Sequence, residues 1–433
     1  MSWSAGWKAP ISNKIMQENK RPSYIRTWLQ NWLDIFVHEL RLIFSDGGVL
    51  IIFFVGGLLY PVLYNLIYSK GMVDDMPVAV VNLSGGSYSR DYLQKVDATR
   101  ECEIYAYCTS MEEAKDLMQR QKVHGIIFIP SDFDECILRG EQGAVSTYAD
   151  MSSFLYYKCL LMGTSLSMLD DIHEIQTRRY ASAGFTEQEI SQLVQPVLSD
   201  ESIPYNKPFS YTIFFISAAL MLVIQQTLFY GSSLLAGTLR EENRSFASMP
   251  KGLQGLGIGR VLLGRGGAYM AVYLVIGTIV ALLIPWIFHL PQRALWWEIM
   301  ILLGFYILDC IFFSFTWSTL ITKRETVFVL FLSVSPMCLF LTGFSWPATA
   351  IPAGLQYLSY IFPSTYGCRA FINLNTAGGT LATIAPEIRA MTIQTIIYYF
   401  LSAAAVFAEN KVIENKDRIE EIRSKTTRLI AGE

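Results

Sequence analysis

Residues 47–68 read GGVLIIFFVGGLLYPVLYNLIY, with no charged side chain among them. A helix of about 20 such residues, rising 1.5 Å each, crosses roughly 30 Å of hydrocarbon. Water offers this run no comparable home. Five further segments are apolar over similar lengths, at 209–235, 268–288, 299–320, 327–344 and 391–408. The whole chain agrees: 52% of its 433 residues are hydrophobic in type and 16% are charged, against roughly 25% charged in average soluble proteins. The sequence therefore predicts a polytopic α-helical bundle with six transmembrane helices, spanning 47–68 and 209–408. A formal charge of −3 leaves no basic excess for phosphates, which excludes a nucleic-acid partner.

Lys and Arg orient the spans, because cytoplasmic loops retain them in excess. Residues 1–46 hold six, 236–267 five, 321–326 two and 409–433 six, while the connections on the other side carry Arg293, Arg369 and Arg389. Both termini are thus expected in the cytoplasm of a cell whose inner (plasma) membrane holds the chain. The 71–206 segment, with 21 acidic and 10 basic residues, then lies outside. No cleavable signal is expected, because 46 mostly polar residues precede the first span.

Within 71–206, runs with strand-like periodicity at 76–82, 102–108, 124–130 and 143–149 alternate with helical stretches at 87–97, 111–121 and 131–139. That alternation predicts an extracytoplasmic α/β domain with a mostly parallel sheet. Helices at 152–182 and 186–195 follow and are expected to form a stalk. Cys102, Cys108, Cys136 and Cys159 leave room for a disulfide there, although not between Cys102 and Cys108, which one strand would hold ~20 Å apart.

Ahead of the first span, residues 24–44 place Ile25, Trp28, Leu29, Trp32, Leu33, Phe36, Leu40 and Ile43 on one helical face and Arg26, Gln30, Asp34 and His38 on the other. Such a helix suits the membrane interface and its lipids. Between the second and third spans, 236–267 carries Arg240, Glu241, Glu242 and Arg244 and then a series of glycines expected to break it, a segment suited to docking a cytosolic partner. After the fifth span, 345–390 is interrupted by Pro347, Pro352 and Pro363 yet keeps Phe344, Trp346 and Phe362 nearby, which predicts a half-inserted hairpin at the outer surface. In the spans, Asp309 and, more weakly, Gln225 and Gln226 are polar groups at membrane depth. An ionised carboxylate there costs at least ~2.5–3.5 kcal/mol, so Asp309 is expected to be protonated or partnered, either on a translocation path, at a dimer interface or in helix packing.

Catalytic signatures are missing. His38, His124, His173 and His289 form no H-E-x-x-H, no G-x-S-x-G elbow occurs, and no G-x-x-x-x-G-K-[ST] exists to cradle a nucleotide. Leu83-Ser84-Gly85-Gly86 follows a strand and is read as a turn in which glycine supplies φ > 0. No cofactor or metal is called for.

The order of parts resembles the permease subunit of a type-2 ABC transporter with a large extracytoplasmic domain after its first span. Several stretches carry the likeness: Met76-Pro-Val-Ala-Val-Val-Asn82, Met111-Glu-Glu-Ala114, Val123-His-Gly-Ile-Ile-Phe-Ile-Pro130 with Asp132-Phe133, Leu341-Thr-Gly-Phe-Ser-Trp-Pro347, and Phe362-Pro363 with Thr365-Tyr366. Where that family has a Glu-Arg-Glu-x-Gly-Thr-like stretch, this chain has Arg240-Glu241-Glu242-Asn243-Arg244-Ser245, similar in charge and different in order. The resemblance implies a dimer with itself or a related permease, two cytosolic ATPase subunits that supply all hydrolysis, and a periplasmic adaptor with an outer-membrane channel. It implies export, with Arg240, Glu241, Glu242 and Arg244 coupling to the ATPase. A membrane-anchored sensor or scaffold with a ligand-binding extracytoplasmic domain is the alternative reading of the residues.

Overall fold

The computed structural model describes residues 24–197, 205–206, 210–242, 244–246, 248–249, 253 and 256–431, without the side chains of 24–27, 211, 214, 416–417 and 419–431. The expectations that fall on 1–23, on the end of the stalk and on Gly252 and Gly255 lie outside the described residues. The chain divides into two units, Tyr64–Ile216 and the remainder.

The first unit is the expected α/β fold. Strands β1 (Met76–Asn82), β2 (Cys102–Tyr107), β3 (Gly125–Ile129) and β4 (Ser146–Ala149) form one sheet in the order β2-β1-β3-β4. β1 runs parallel to β2 and β3, and β4 closes the edge antiparallel to β3. β4 is shorter than expected. Because β1 is central, both of its faces are buried, which is why it reads as an unbroken apolar run. Val78 and Val80 pack with Tyr92, Leu93 and Val96 of helix α3 (Ser87–Asp97), Phe133 and Ile137 of α5 (Phe133–Arg139), and Cys159 and Leu160 of α6 (Phe154–Ser182). Ala79 and Val81 pack with Ala114 of α4 (Met111–Gln119) on the other side. A capping box between Thr186 and Glu189 starts α7 (Glu187–Val194).

The second unit is helical. It opens with the amphipathic helix α1 (Tyr24–Ser45), which turns at Asp46 into α2 (Gly47–Ile67). Next come α8 (Tyr211–Glu241), α9 (Ile258–Ile287), α10 (Trp296–Ser318), α11 (Thr326–Leu341), the short α12 (Ala353–Ser359) and α13 (Pro363–Phe371), and the long α14 (Ala385–Ala431). Five helices, α2, α8, α9, α10 and α14, are long and apolar enough to cross a membrane. The segment expected as the fifth span forms the 16-residue α11, about 24 Å at helical rise. α8 is the centre, with 89% of its apolar window buried, whereas α2 and α14 show 22% and 28%. The outer faces of those two carry Ile51, Val55, Leu59, Ile393, Ile396, Ile397 and Phe400 exposed, a surface that suits lipid rather than water.

One expectation needs correction. Gly259, Gly264, Gly266 and Gly267 do not break the chain; they lie inside α9, which begins ten residues earlier than the predicted span. The reason is close packing. A Cβ on Gly264 would stand 2.6 Å from Ile35 and one on Gly267 2.6 Å from Trp32, so glycine lets α1 lie directly on α9. Likewise α8 and α14 extend past the predicted span ends.

Candidate functional site

Charged side chains collect at the end of the helical unit where α2 begins and α8 finishes. Asp46 caps α2 by accepting from the amides of Gly48 and Val49 at 2.9 and 3.2 Å. Its two oxygens also receive the forked guanidinium of Arg324, both at 2.7 Å. Burial pushes the Asp46 carboxyl up, yet Arg324 and the two amides hold it below the ordinary carboxylate range. Arg324 further donates to Thr238 Oγ1 at 2.9 Å, and its backbone amide donates to Glu241 at 2.8 Å. The loop after α10 is thereby tied to α2 and to the last turns of α8.

Arg240 points inward. It pairs with Glu409 of α14 at 2.9 Å and donates to the carbonyls of Ser318, the last residue of α10, and of Ile321 just beyond it. Of the four residues expected to couple to a partner, Arg240 and Glu241 therefore fasten helices together, while Glu242 and Arg244 form an exposed ion pair at 3.1 Å.

A second, fully buried pair was not anticipated from the sequence. Glu39 of α1 and Arg265 of α9 face each other at 2.8 Å with both side chains wholly out of water. The Arg265 guanidinium also donates to the carbonyl of Phe246, in the segment between α8 and α9, and lies 4.3 Å over the Phe246 ring. Burial pushes the Glu39 carboxyl up against the opposing pull of Arg265 and Tyr269. Trp32 donates to the Leu263 carbonyl at 3.2 Å beside them. One guanidinium thus joins three segments of chain. A sequence reading finds Glu39 and Arg265 only by asking why an acid sits on the apolar side of α1 and an arginine stands two places from Gly267, ahead of a long uncharged stretch of α9.

The intramembrane polar residues do different things. Gln225 accepts from the Ser364 amide at 2.5 Å, capping α13 directly after Phe362 and Pro363. Gln394 and Tyr398 of α14 donate to the carbonyl of Ile361, each at 2.6 Å, and Tyr306 of α10 donates to Met221 at 2.7 Å. The expected hairpin is therefore a pair of short helices suspended from α8 and α14. Phe362 is buried against Phe313, Pro363 occupies the first turn of α13, Phe344 is buried and Trp346 is exposed beside Pro347. Gln226 is buried beside Cys338. Asp309 is wholly buried in α10, and neither carboxyl oxygen has a hydrogen-bond partner among the described residues. The neighbouring Thr395 hydroxyl donates instead to the Met391 carbonyl at 2.8 Å. Gln225 is thus engaged in capping α13, whereas Asp309 is buried with no such partner among the described residues.

In the α/β unit, the Ser84-Gly85-Gly86 turn holds an internal anion. Asp134 accepts from Ser84 Oγ at 2.6 Å and from the amides of Tyr88 and Ser89 at 2.8 and 3.3 Å. A Cβ on Gly86 would meet that carboxylate at 2.2 Å, and Gly85 has φ +67°. The start of α3, where a phosphate could otherwise bind, is filled by the protein itself.

A family model described as ABC-2 family transporter protein matches residues 48–404, most of the chain. No curated protein matches it.

Proposed function

This chain belongs to the ABC-2 family of transporter proteins, multi-pass membrane components that are not themselves the catalysts, and from that premise we propose that it is the permease subunit of an ATP-driven exporter. α11 completes a set of six spans, with both termini in the cytoplasm and residues 71–206 outside the inner membrane. Two copies, or one copy and a related permease, line the path, and two cytosolic ATPase subunits dock beneath them. A periplasmic adaptor with an outer-membrane channel receives the cargo.

The observation that carries the coupling is the guanidinium of Arg265, which holds α1, α9 and the Phe246 segment together. A push on either α1 or the 236–267 segment then reaches α9 as one motion, because the three cannot shift separately without stranding a buried charge. Arg240 and Arg324 pass that motion to α14, α10 and α2. Glu242 and Arg244, exposed beside this fastening, are the side chains offered to the ATPase. The hairpin, hung from α8 and α14 by Gln225, Gln394 and Tyr398, moves with those helices at the far end and gates the exit, with Phe344, Trp346, Pro347, Phe362 and Pro363 at its corners. Asp309 supplies a polar point on the path.

The test is co-purification of the tagged chain with cytosolic ABC ATPase subunits from membranes that contain both. Glu242→Lys combined with Arg244→Glu inverts the exposed pair while leaving Arg240 and Glu241 in place, and is expected to abolish co-purification from membranes at unchanged permease levels. Undiminished co-purification overturns the docking assignment.

A further inference from the structure

Three polar side chains on one line of α8 have nothing to bond. Gln226, Tyr230 and Ser233 are 7%, 3% and 0% exposed, and neither end of the Gln226 amide nor either hydroxyl has a hydrogen-bond partner among the described residues. At about 100° per residue the three fall within roughly 60° of one line, over about 10 Å of helix. Native structures pair such groups as a rule, and leaving them unpaired in the interior costs stability. Elsewhere α8 keeps the rule: Gln225 caps α13, and Thr227 and Ser232 donate to carbonyls a turn back.

The row lies beneath α11. Gln226 sits beside Cys338, and the Tyr230 hydroxyl lies beside Ser335. The Tyr230 ring meets Phe331 edge-on at 4.8 Å, and a Cβ on Gly237 would stand 3.0 Å from the Arg324 amide that leads into α11. This cover is lightly held. Pro336 removes a backbone hydrogen bond from the middle of α11, its far side leaves Phe328, Val329, Leu332 and Phe340 exposed, and Gln225 reaches it through a weak contact with Cys338 Sγ at 3.9 Å. Its inner end, by contrast, is fastened by Arg324 to Asp46, Thr238 and Glu241.

The chemistry of the row says what fits it. An amide and two hydroxyls offer both donors and acceptors, so hydroxyl groups, which do both, answer all three. Neither helix carries a charge along the row, from Tyr211 to Leu239 or from Thr326 to Leu341. An ion there would have no counter-charge. Phe229 and Phe331, with ring centroids 5.2 and 4.8 Å from Tyr230, suit an alkyl chain beside the polar row.

We propose that Gln226, Tyr230 and Ser233 form a cargo site, opened when α11 swings from α8 about its inner end, and that the site takes the uncharged, hydroxyl-bearing head group of an amphiphile. The proposal rests on the export reading above and adds the class of cargo. It is tested on the full chain in phosphatidylcholine nanodiscs, irradiated with a photo-reactive alkyl glucoside. Adducts are expected on α8 or α11. The plain alkyl glucoside should compete them away, whereas the alkyltrimethylammonium and alkyl sulfate of the same chain length should not, and the yield should fall about tenfold in Tyr230→Phe with Ser233→Ala. No adduct on either helix, equal competition by all three head groups, or an undiminished yield in the variant each overturn the proposal. A second readout needs no cargo. Because the hydroxyls are unpaired at rest, Tyr230→Phe and Ser233→Ala should each leave the melting temperature of the purified chain unchanged or raise it; a drop means that the hydroxyls are bonded within the protein, and the site falls. Co-purification of the ATPase subunits separates this proposal from the one beneath it. If they accompany the chain while the adduct fails, the permease stands and only the cargo site is lost; if they do not accompany it, the export reading falls whatever the glucoside does.

Discussion

In the α/β unit, the carboxylate of Asp134 is met by Ser84 and by two amides at the start of a single helix. In the helical unit, Glu39 is still more completely removed from water and is met by a guanidinium on another helix. The first arrangement uses backbone donors that any helix start leaves unsatisfied. It fixes a turn and transmits nothing. The second makes the position of one helix depend on the charge of another, and it recurs at Asp46 with Arg324 and at Arg240 with Glu409. Local polarity builds a rigid body, while long-range polarity fastens elements that an external push has to move together.

The comparison is sharpest at Arg265. Arg265→Ala strands Glu39 in the interior, and removing one partner of a buried pair costs about 3–5 kcal/mol; thermal unfolding of the purified protein should drop markedly or the protein should fail to accumulate. Replacing both, Glu39→Met with Arg265→Met, should restore stability, since apolar substitutes for a buried pair are often neutral or better. If the double variant is as damaged as Arg265→Ala, the ion pair is not what matters there. Asp134→Ala comes next. It leaves the amides of Tyr88 and Ser89 without their acceptor, a loss of about 1–3 kcal/mol, visible as lost hydrogen-exchange protection at the start of α3 and not in the helical unit. Protection lost in both units would erase the distinction drawn between them.

A smaller effect is set by pH. Burial raises Asp134, but Ser84, Ser89 and the amides lower it further, so the folded carboxyl titrates below its unfolded value. Its contribution is complete above the unfolded pKa, near pH 4, and is lost as pH falls through the lower folded value. Asp134→Asn should therefore flatten the acid limb of the exchange profile of α3. An unchanged acid limb removes Asp134 as its source. Smallest of all, Glu242→Ala breaks an exposed pair and should move stability by less than about 1 kcal/mol, whatever it does to ATPase binding; a large drop in melting temperature would make that pair structural.

The same contrast explains what the sequence disclosed. β1, α3, α4 and α6 fall within a residue or two of the periodicity that predicts them, because each carries its own pattern, and α4 and α6 open on the local serine caps Ser110 and Ser153. Five of the six expected spans are legible for the same reason. The pairs of the helical unit were not, because Asp46 and Arg324 stand 278 residues apart and no local pattern connects them. The glycines of α9 misled for a related reason. Glycine marks a break by local logic, whereas here Ile35 and Trp32 of a distant helix require its missing side chain. Asp309 was legible as an oddity only, since nothing in the sequence says which helix lies beside it.

The account depends on the α/β unit and the chain ends lying on opposite faces of the membrane. In a Cys136→Ser background, which removes the one cysteine of the described residues that is not buried, Glu112→Cys in α4 and Glu414→Cys in α14 place one exposed thiol in each region. A membrane-impermeant maleimide added to spheroplasts should label the position at 112 at once and the position at 414 only after the membrane is opened. Labelling of both positions in sealed spheroplasts, or of neither, would contradict the account.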